Sequence, residues 1–470
     1  MSKKQSISRR DFIRVLALSS GGAALAACAP ELASTTPEPV IVMTPERVIV
    51  KETVQVQVTA AAPPPLQAKL VWTTFRAPGT GWNEERIATF LALHPGVTIE
   101  FLPLLGATQQ DNYGKMYALQ AAGDLGDIIA FDPSHYQFMR AINKGLIVPL
   151  DDLVAGDGLD LNQWFEQFIS IQYYQGKLYG LPSWGWAGYD TIKINTLHFD
   201  AAGIAVPDPL SHNTSMQTIG EWARSFRDEA TGRWGLSFNA DEISFVGLMR
   251  AFNGDLISAD GTKSLVLESA SVEALRWMYD LRVVDKVIPT GDSLGGTVDA
   301  AQIAGKLTMD LQGSFGMRNF MRDAKEPAAK ASQVLLPERA DGKFACQIRG
   351  GTWNIAKDSE SPEVAYQFLK HIAGMEGSFG FNLVGQQGAL VRPDTLELLI
   401  ADNAVHEWFL PNLGNGIPAY GPSNSRGTEY TDAVKQWGSL LLDPKQPVEF
   451  EKGVQDLHDN IQLVLDTPAS

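Results

Sequence analysis

Short apolar runs alternate with helix-spaced apolar positions along the chain from about residue 69. The short runs are KLVWTTF (69–75), VTIEFLPLL (97–105) and DIIAFD (127–132). Runs of this length predict single buried strands, whereas apolar residues three or four positions apart predict helices. The helix pattern follows each run, in segments 82–94, 113–122 and 134–145. Strands that alternate with helices predict parallel βαβ units and an α/β fold class.

The helix pattern dominates the second half of the chain. Its amphipathic segments are 268–285, 361–374, 424–442 and 450–465. In parallel sheets, ligands meet the loops at the carboxyl ends of the strands. The sequence predicts two such ends, at 73–76 and 131–135. We therefore expect ligand contacts at these two places.

Residues 29–68 differ from the rest of the chain because they contain seven prolines and no balanced core pattern. Such a segment buries too little apolar surface to order itself and is predicted to be a tether. A flexible chain of this length spans roughly 35 Å on average. The 470 residues of the whole chain exceed what one core accommodates, so two lobes are expected.

The charge and the cysteine count exclude several classes of protein. The formal net charge is −16, which argues against nucleic acid and anionic lipid as broad partners. The only cysteines are Cys28 and Cys346, and the seven histidines lack the spacing of metal ligands. The sequence therefore predicts no metal site, and no intrachain disulfide once Cys28 is lipidated. No phosphate-binding glycine pattern follows a strand, so no cofactor is expected.

The N-terminus carries two export signatures. Ser8-Arg9-Arg10-Asp11-Phe12 resembles a twin-arginine signal, and the apolar stretch after it is too short to span a membrane. Leu25-Ala26-Ala27-Cys28 resembles a bacterial lipobox, which would make Cys28 the lipidated first residue. Removing 1–27 takes away five Lys/Arg and one Asp, so the remainder carries a charge of about −20. We expect a lipid-anchored, extracytoplasmic protein.

Four phrases stand in an order that resembles a known family. They are DIIAFDPSHYQFMRAINKGLIVPLDDL (127–153), GKLYGLPSWGWAGYDTIKIN (176–195), GKLTMDLQGSFG (305–316) and RGGTWNIAKDSESPEVAYQFLKHIAG (349–374). Together they resemble the extracellular solute-binding proteins of family 1, the sugar-binding components of ABC importers. The resemblance covers residue 69 to the C-terminus. One departure is the segment 206–223, which lacks the Thr-Trp pair usual after the second phrase.

The resemblance implies a two-lobed periplasmic-binding-protein fold, type II-like, with discontinuous lobes joined by crossing strands at a hinge. The implied crossings lie near 182–185, 308–313 and 349–353. The implied domains are a signal peptide at 1–27, a lipidated tether at 28–68, an N-terminal lobe at 69–183 and 310–350, and a C-terminal lobe at 184–309 and 351–470. Gly350-Gly351 is read either as a hinge turn or as a plain hairpin turn.

A sugar site needs flat aromatic surfaces beside planar hydrogen-bonding groups. Trp184, Trp186 and Tyr189 lie close together at a predicted crossing. Residues two apart on a strand face the same side, so the two tryptophans are expected to form one aromatic surface. The alternative is that they pack beneath a lobe. Their flanking glycines leave room beside the rings, which favours the cleft.

Eight further residues complete the expected ligand site. They are Trp72, Arg76, Phe131, Asp132, Phe315, Arg349, Trp353 and Tyr420. Phe315 takes the position at which the family usually has Trp. Trp72 could equally belong to the core, and Asp132 could equally cap the helix that follows it. His135 is favoured as a surface residue, and Trp234 and Asn253 as structural ones.

Three functions remain open from the sequence. The first is a binding protein that delivers a mono- or oligosaccharide to an ABC permease, without catalysis. The second keeps the binding role for a polyamine, a peptide or a phosphorylated polyol, recognised by acidic or arginine side chains. The third is an exported enzyme such as a glycosidase, which needs two carboxylates at a set separation. Asp132, Asp190 and Asp310 could approach the cleft, but their spacing singles out no pair.

Overall fold

Two separate β-sheets organise the protein, which is presented here as a computed structural model. The structure describes residues 65–74, 82–106, 109–131, 136–188, 191–208, 211–312, 331–375, 391–401 and 413–468. All of them fall in one compact unit, Pro65–Ser470. The predicted signal peptide, the lipidated Cys28 and nearly all of the tether lie outside the described residues.

Twelve strands are found in the described residues. Their bounds are β1 Ala68–Thr74, β2 Val97–Pro103, β3 Ile128–Phe131, β4 Tyr173–Tyr174, β5 Lys177–Leu178, β6 Leu181–Gly188, β7 Thr191–Asn195, β8 Trp234–Ser237, β9 Leu307–Gln312, β10 Ala331–Leu335, β11 Gln347–Ile355 and β12 Ile417–Pro418. The first sheet has the order β12-β11-β3-β1-β2, and β6 also pairs with β11. The second sheet has the order β10-β7-β9-β8.

Fourteen α-helices connect and cover these strands within the same described ranges. Their bounds are α1 Trp82–Leu93, α2 Gln109–Ala122, α3 Tyr136–Asn143, α4 Asp151–Asp157, α5 Glu166–Ser170, α6 Thr196–Ala202, α7 Met216–Ser225, α8 Glu242–Ala251, α9 Ser269–Tyr279, α10 Val298–Ile303, α11 Pro362–Ala373, α12 Pro393–Ala401, α13 Gly427–Leu441 and α14 Phe450–Asp466. Short 3₁₀ turns lie at Leu161–Gln163 and Gly291–Leu294, and a π-turn at Asp280–Val284. None of the described helices is long and apolar enough to cross a membrane.

Several helix ends follow directly from the local sequence. Ser215, Asp241 and Thr297 each precede a helix and accept a hydrogen bond from the backbone N–H three residues later. This contact satisfies one of the amide groups that a helix start leaves unpaired. Gly123 follows α2 with φ 79°, a conformation that glycine adopts at little cost. The helix therefore ends at Ala122, where the pattern predicted at 113–122 also ends.

Each sheet has its own hydrophobic core, as the two-lobe prediction requires. The first core is built on Leu70, Ile128 and Ile355 of the first sheet, with α11 packed on it. The second core is built on Ile192 and Met309 of the second sheet. Helices α13 and α14 contribute their apolar faces to this second core. The predicted α/β class with two lobes is confirmed.

The predicted lobe boundaries need correction. Strands β9 and β10 pair with β7, so 310–312 and 331–335 belong to the second sheet and not to the N-terminal lobe. Strand β11 pairs with β3, so 351–355 belong to the first sheet and not to the C-terminal lobe. Sheet membership depends on pairing between distant segments, which a local pattern does not contain.

The crossing points move accordingly. The chain passes from the first sheet to the second between Gly188 and Thr191, close to the predicted crossing at 182–185. It returns between Leu335 and Gln347, not at 308–313 or 349–353. It crosses again between β12 and α13, after Pro418. Gly350 and Gly351 lie inside β11, paired with β6, and form neither a hinge turn nor a hairpin turn.

Candidate functional site

The carboxyl edges of the two sheets come together at the β6–β7 crossing. Strands β1 and β3 are parallel and end at Thr74 and Phe131. Strand β6 runs in the same direction, because both β3 and β6 are antiparallel to β11. In the second sheet, β9 ends at Gln312, opposite Thr191, where β7 begins. The crossing therefore joins the ends at which α/β sheets bind ligands.

Trp184 lies level with this edge of the first sheet. Its partner on β11 is Gly351, and the next β11 residue, Thr352, pairs with Phe131 at the end of β3. The Trp184 indole is only partly buried, and it packs against Trp353 with ring centroids 5.6 Å apart. Trp184 thus packs on the core and keeps part of its surface accessible, which suits an aromatic platform.

The glycines around Trp184 are required by packing. A Cβ at Gly351 would lie 1.7 Å from the Trp184 ring. A Cβ at Gly185 would lie 2.0 Å from the ring of Phe168, on the opposite face of the strand. Both glycines therefore let an aromatic ring lie flat on the sheet. This accounts for them without the free space for a ligand that the sequence analysis inferred.

Three of the predicted ligand residues lie in the cores instead. Trp72 is 0% exposed and makes an edge contact with Trp353 at 4.6 Å. Trp353 is 2% exposed, and Phe131 is 1% exposed and stacks on Tyr113. Each belongs to a strand with neighbouring strands on both sides, so its side chain points into a packed layer. The burial favours the core interpretation for all three.

Arg349 was predicted to contact the ligand, but in the structure its side chain bonds to groups of the protein itself. Its guanidinium bonds to the carboxylate of Glu242 and, at 2.8 Å, to the side-chain oxygen of Gln347. Both members of the Arg349–Glu242 pair are buried. Burial raises the pKa of Glu242, and the nearby Arg349 opposes this rise. Arg349 therefore joins β11 to the start of α8.

Tyr420 and two weaker candidates have contacts within the protein. Tyr420 is partly buried beneath the guanidinium of Arg250, 5.0 Å from the ring centroid. Asn253 has φ 68° at the end of α8, and its side chain accepts a hydrogen bond from the backbone N–H of Ala340. Trp234 lies beneath Arg227 at 4.1 Å. Each of the three residues thus contacts another part of the protein, and the structural role expected for Asn253 and Trp234 stays a prediction.

The remaining candidates are not described. Arg76, Asp132, His135, Tyr189, Asp190 and Phe315 lie outside the described residues. Trp186 belongs to β6, opposite Arg349 on β11, but its side chain also lies outside them. Their predicted roles stay predictions.

The second sheet contains a buried polar cluster that the sequence did not predict. Asp310 on β9 pairs with Lys193 on β7 and with Ser237 on β8. Asp310 also accepts a hydrogen bond from the side-chain amide of Gln312, and Lys193 forms an ion pair with Asp299. Burial raises the pKa of Asp310 to about 7, although Lys193 lowers it.

A signal for this cluster exists in the sequence. Lys193 and Asp310 are the single charged residues of the strands TIKIN (191–195) and LTMDLQ (307–312). A charge within a buried strand must be paired. The pairing partner, however, comes from a strand more than one hundred residues away and could not be assigned beforehand. In the described residues, no group of three or more His, Cys, Asp or Glu is arranged to hold a metal.

Solved structures with the same fold are numerous. An ABC substrate-binding protein from Listeria monocytogenes, in complex with cycloalternan, matches with a TM-score of 0.69 at 19% identity, over 85% of this chain and 99% of that one. UgpB from Mycobacterium tuberculosis, in complex with glycerophosphocholine, matches with 0.69 at 16% identity, over 85% and 99%. The GacH receptor of Streptomyces glaucescens matches with 0.67 at 17% identity, over 86% and 100%. These likenesses establish the two-lobed fold.

The sequence itself matches a family model over residues 85–378, which is more than half of the chain. The family is described as bacterial extracellular solute-binding protein. The matched segment includes the β6–β7 crossing and the ends of β3 and β9. The protein belongs to the bacterial extracellular solute-binding protein family.

Proposed function

We propose that this protein captures a carbohydrate in the cleft at the β6–β7 crossing and delivers it to an ABC permease. The observation that carries this proposal is the position of Trp184. Its partly exposed ring lies level with the carboxyl end of β3, at the crossing between the sheets. Aromatic faces complement the apolar C–H faces of sugar rings. Closure of the lobes would then bury the sugar.

The ligands of related structures support this ligand class. The neighbours include complexes with cycloalternan and, for a cyclo/maltodextrin-binding protein, with maltotetraose. UgpB is a neighbour with glycerophosphocholine, a phosphorylated polyol derivative. That complex supports the second candidate, the same receptor role for a phosphorylated polyol. Polyamines and peptides are further alternatives, and an exported glycosidase is the least favoured.

The N-terminal signals support a place at the outer face of the membrane. A lipid chain on Cys28 would hold the protein near its permease, and the segment to residue 68 would act as the tether. Mass spectrometry of the mature protein tests this part, because it should begin at Cys28 with acyl chains attached. A mature form that retains residues 1–27, or a Cys28→Ala variant that stays on the membrane, would contradict it.

A thermal-shift screen of residues 65–470 tests the ligand class. Maltose, maltotetraose, glycerophosphocholine, spermidine and a short peptide serve as probes. A ligand at one hundred times its Kd stabilises the folded state by about 2.7 kcal/mol. A shift with the sugars alone is the expected result. A shift with glycerophosphocholine or spermidine and none with the sugars would refute the carbohydrate class. Turnover of a chromogenic glycoside would refute the binding-only role.

Two tryptophan variants locate the site. Trp184→Ala is expected to weaken binding of the responding sugar at least tenfold, because the stacking surface is removed. Trp234→Ala is the matched control, since Trp234 is also partly exposed but opens β8, at the amino edge of its sheet. Equal affinity of the Trp184 variant and the wild type would refute the stacking role.

A further inference from the structure

Gln312 occupies the end of the second sheet that faces the crossing. It is the last residue of β9, opposite Thr191, the first residue of β7 after the chain leaves the first sheet. The hydroxyl of Thr191 donates a hydrogen bond to the backbone carbonyl of Gln312 at 3.1 Å. The neighbouring strand β8 ends at Ser237, which pairs with Asp310. Strand β9 therefore continues two residues past the end of β8, to Gln312. Its side chain is only partly buried.

A buried carboxylate holds the side chain of Gln312 in place. Its amide nitrogen donates a hydrogen bond to Asp310, whose own side chain is almost completely buried. Asp310 in turn bonds to Ser237 and lies beside Lys193, which pairs with Asp299 on α10. The carboxylate is therefore surrounded by groups on three elements, β7, β8 and α10. Such support fixes the orientation of a polar side chain before a ligand binds.

The chemistry decides which atom of Gln312 faces outward. An ionised carboxylate accepts hydrogen bonds but does not donate them, so it selects the NH₂ end of the amide. The carboxamide oxygen of Gln312 accepts no hydrogen bond from the described residues. An amide oxygen in this position accepts from the O–H or N–H groups of a solute.

We infer that Gln312 contacts the solute through its carboxamide oxygen, with Asp310 as the positioning residue that turns this oxygen toward the cleft. The inference rests on the proposed function and adds a hydrogen-bond acceptor from the second sheet opposite the aromatic surface of the first. It favours solutes that offer hydroxyl or amine donors over solutes that carry only acceptors. The Gln312–Asp310 pair then contributes to recognition of the solute as well as to the stability of β9.

Four variants test the inference by calorimetric titration at pH 8, where Asp310 is ionised. The probes are maltotetraose, glycerophosphocholine and spermidine. The variants are Gln312→Met, Asp310→Asn, the double variant, and Gln455→Met as a control. Gln455 forms a similar Gln–Asp pair, with Asp459 at 2.7 Å, on the exposed face of helix α14. Thermal unfolding of each variant verifies that it folds.

Gln312→Met is expected to weaken binding of the responding probe about tenfold, the typical effect of one lost hydrogen bond. Asp310→Asn should weaken it several-fold in the wild type but leave the Gln312→Met variant unchanged, because it acts through Gln312. The control should bind like the wild type. Wild-type affinity in Gln312→Met would overturn the contact. An equal loss from Asp310→Asn in both backgrounds would overturn the positioning role.

The proposed carbohydrate function can fail separately. If the wild type binds glycerophosphocholine or spermidine but not maltotetraose, the carbohydrate class is refuted. The same variants then judge Gln312 on the compound that binds, because hydroxyl and ammonium groups both donate hydrogen bonds. If maltotetraose binds equally to the wild type and to Gln312→Met, the proposed function stands and the inference falls.

Discussion

Arg349 on β11 and Glu242 at the start of α8 form a buried ion pair between the two lobes. Gln347 completes the arrangement, because its amide donates to the backbone carbonyl of Ile243 at 3.0 Å and its oxygen accepts from Arg349. The pair therefore joins a strand of the first sheet to a helix of the second core. The side chains are 9% and 7% exposed, so solvent screens their attraction only weakly.

We expect Arg349→Met to destabilise the protein by about 3–5 kcal/mol, because it leaves the carboxylate of Glu242 buried without its partner. The free energy of unfolding from urea titration measures this. The double variant Arg349→Met with Glu242→Leu should recover much of the loss, since no buried charge then remains. Lys69→Met is the control, because its ion pair with Glu100 is exposed on both sides. A change of less than 1 kcal/mol in Arg349→Met would contradict the prediction.

Gly351→Ala is expected to move Trp184. The added methyl would lie 1.7 Å from the ring, so the indole or the strand must shift. Overpacking of this kind typically costs about 1–3 kcal/mol. Urea titration measures the loss, and the tryptophan fluorescence spectrum reports the altered surroundings of the ring. Gly114→Ala is the control, since nothing lies within 4 Å of its added methyl and helix interiors favour alanine. Equal stability of both variants would show that Trp184 does not rest on Gly351.

Most elements of the fold could be predicted from the sequence. The run at 69–75 is β1, and the amphipathic segment at 361–374 is α11, each within a residue or so of its predicted bounds. These elements follow from periodicity, which depends on neighbours in the chain. The resemblance to a solute-binding family was also correct, because several local phrases carried it together.

Lobe membership and side-chain roles could not be predicted in the same way. Arg349 and Trp353 lie on either side of Gly350-Gly351, which suggested a hinge or hairpin turn, yet both are buried in β11. Their partners, Glu242 and Trp72, lie more than one hundred residues away. A sequence pattern shows that a charged or aromatic residue needs a partner but not which distant segment supplies it.

Arg250 is a second link between the lobes, and its planar donor geometry is expected to matter more than its charge. Its guanidinium donates to the backbone carbonyls of Ile417 and Pro418 at 3.0 and 3.2 Å, and to Asp255 at 2.8 Å. Lysine cannot reproduce this fork. We expect Arg250→Lys to lose about 2–4 kcal/mol of unfolding free energy, because buried carbonyls lose their donors.

The measurement for Arg250→Lys is urea titration combined with small-angle scattering of the ligand-free protein. The bonds to β12 join α8 to the first sheet, so their loss should broaden the distribution of lobe separations. Arg276→Lys is the control, because Arg276 and Glu451 form an exposed pair. A variant as stable and as compact as the wild type would refute the role of Arg250 as a link.

Asp310 is expected to make stability depend on pH between about 4 and 7. Burial raises its pKa from the ordinary 3.8 to about 7 in the folded state. Between these values the folded protein keeps a proton that the unfolded chain releases. Asp310 therefore lowers the free energy of unfolding as pH rises from about 4 to about 7. The slope is about 1.4 kcal/mol per pH unit where the two states differ by one full proton. In Asp310→Asn the contribution disappears, and the variant should gain stability relative to the wild type between pH 4 and pH 8. Urea titrations at four pH values measure the difference, with Asp459→Asn on the exposed face of helix α14 as control. Parallel pH profiles for Asp310→Asn and the wild type would show that Asp310 titrates in the folded state as it does in the unfolded chain.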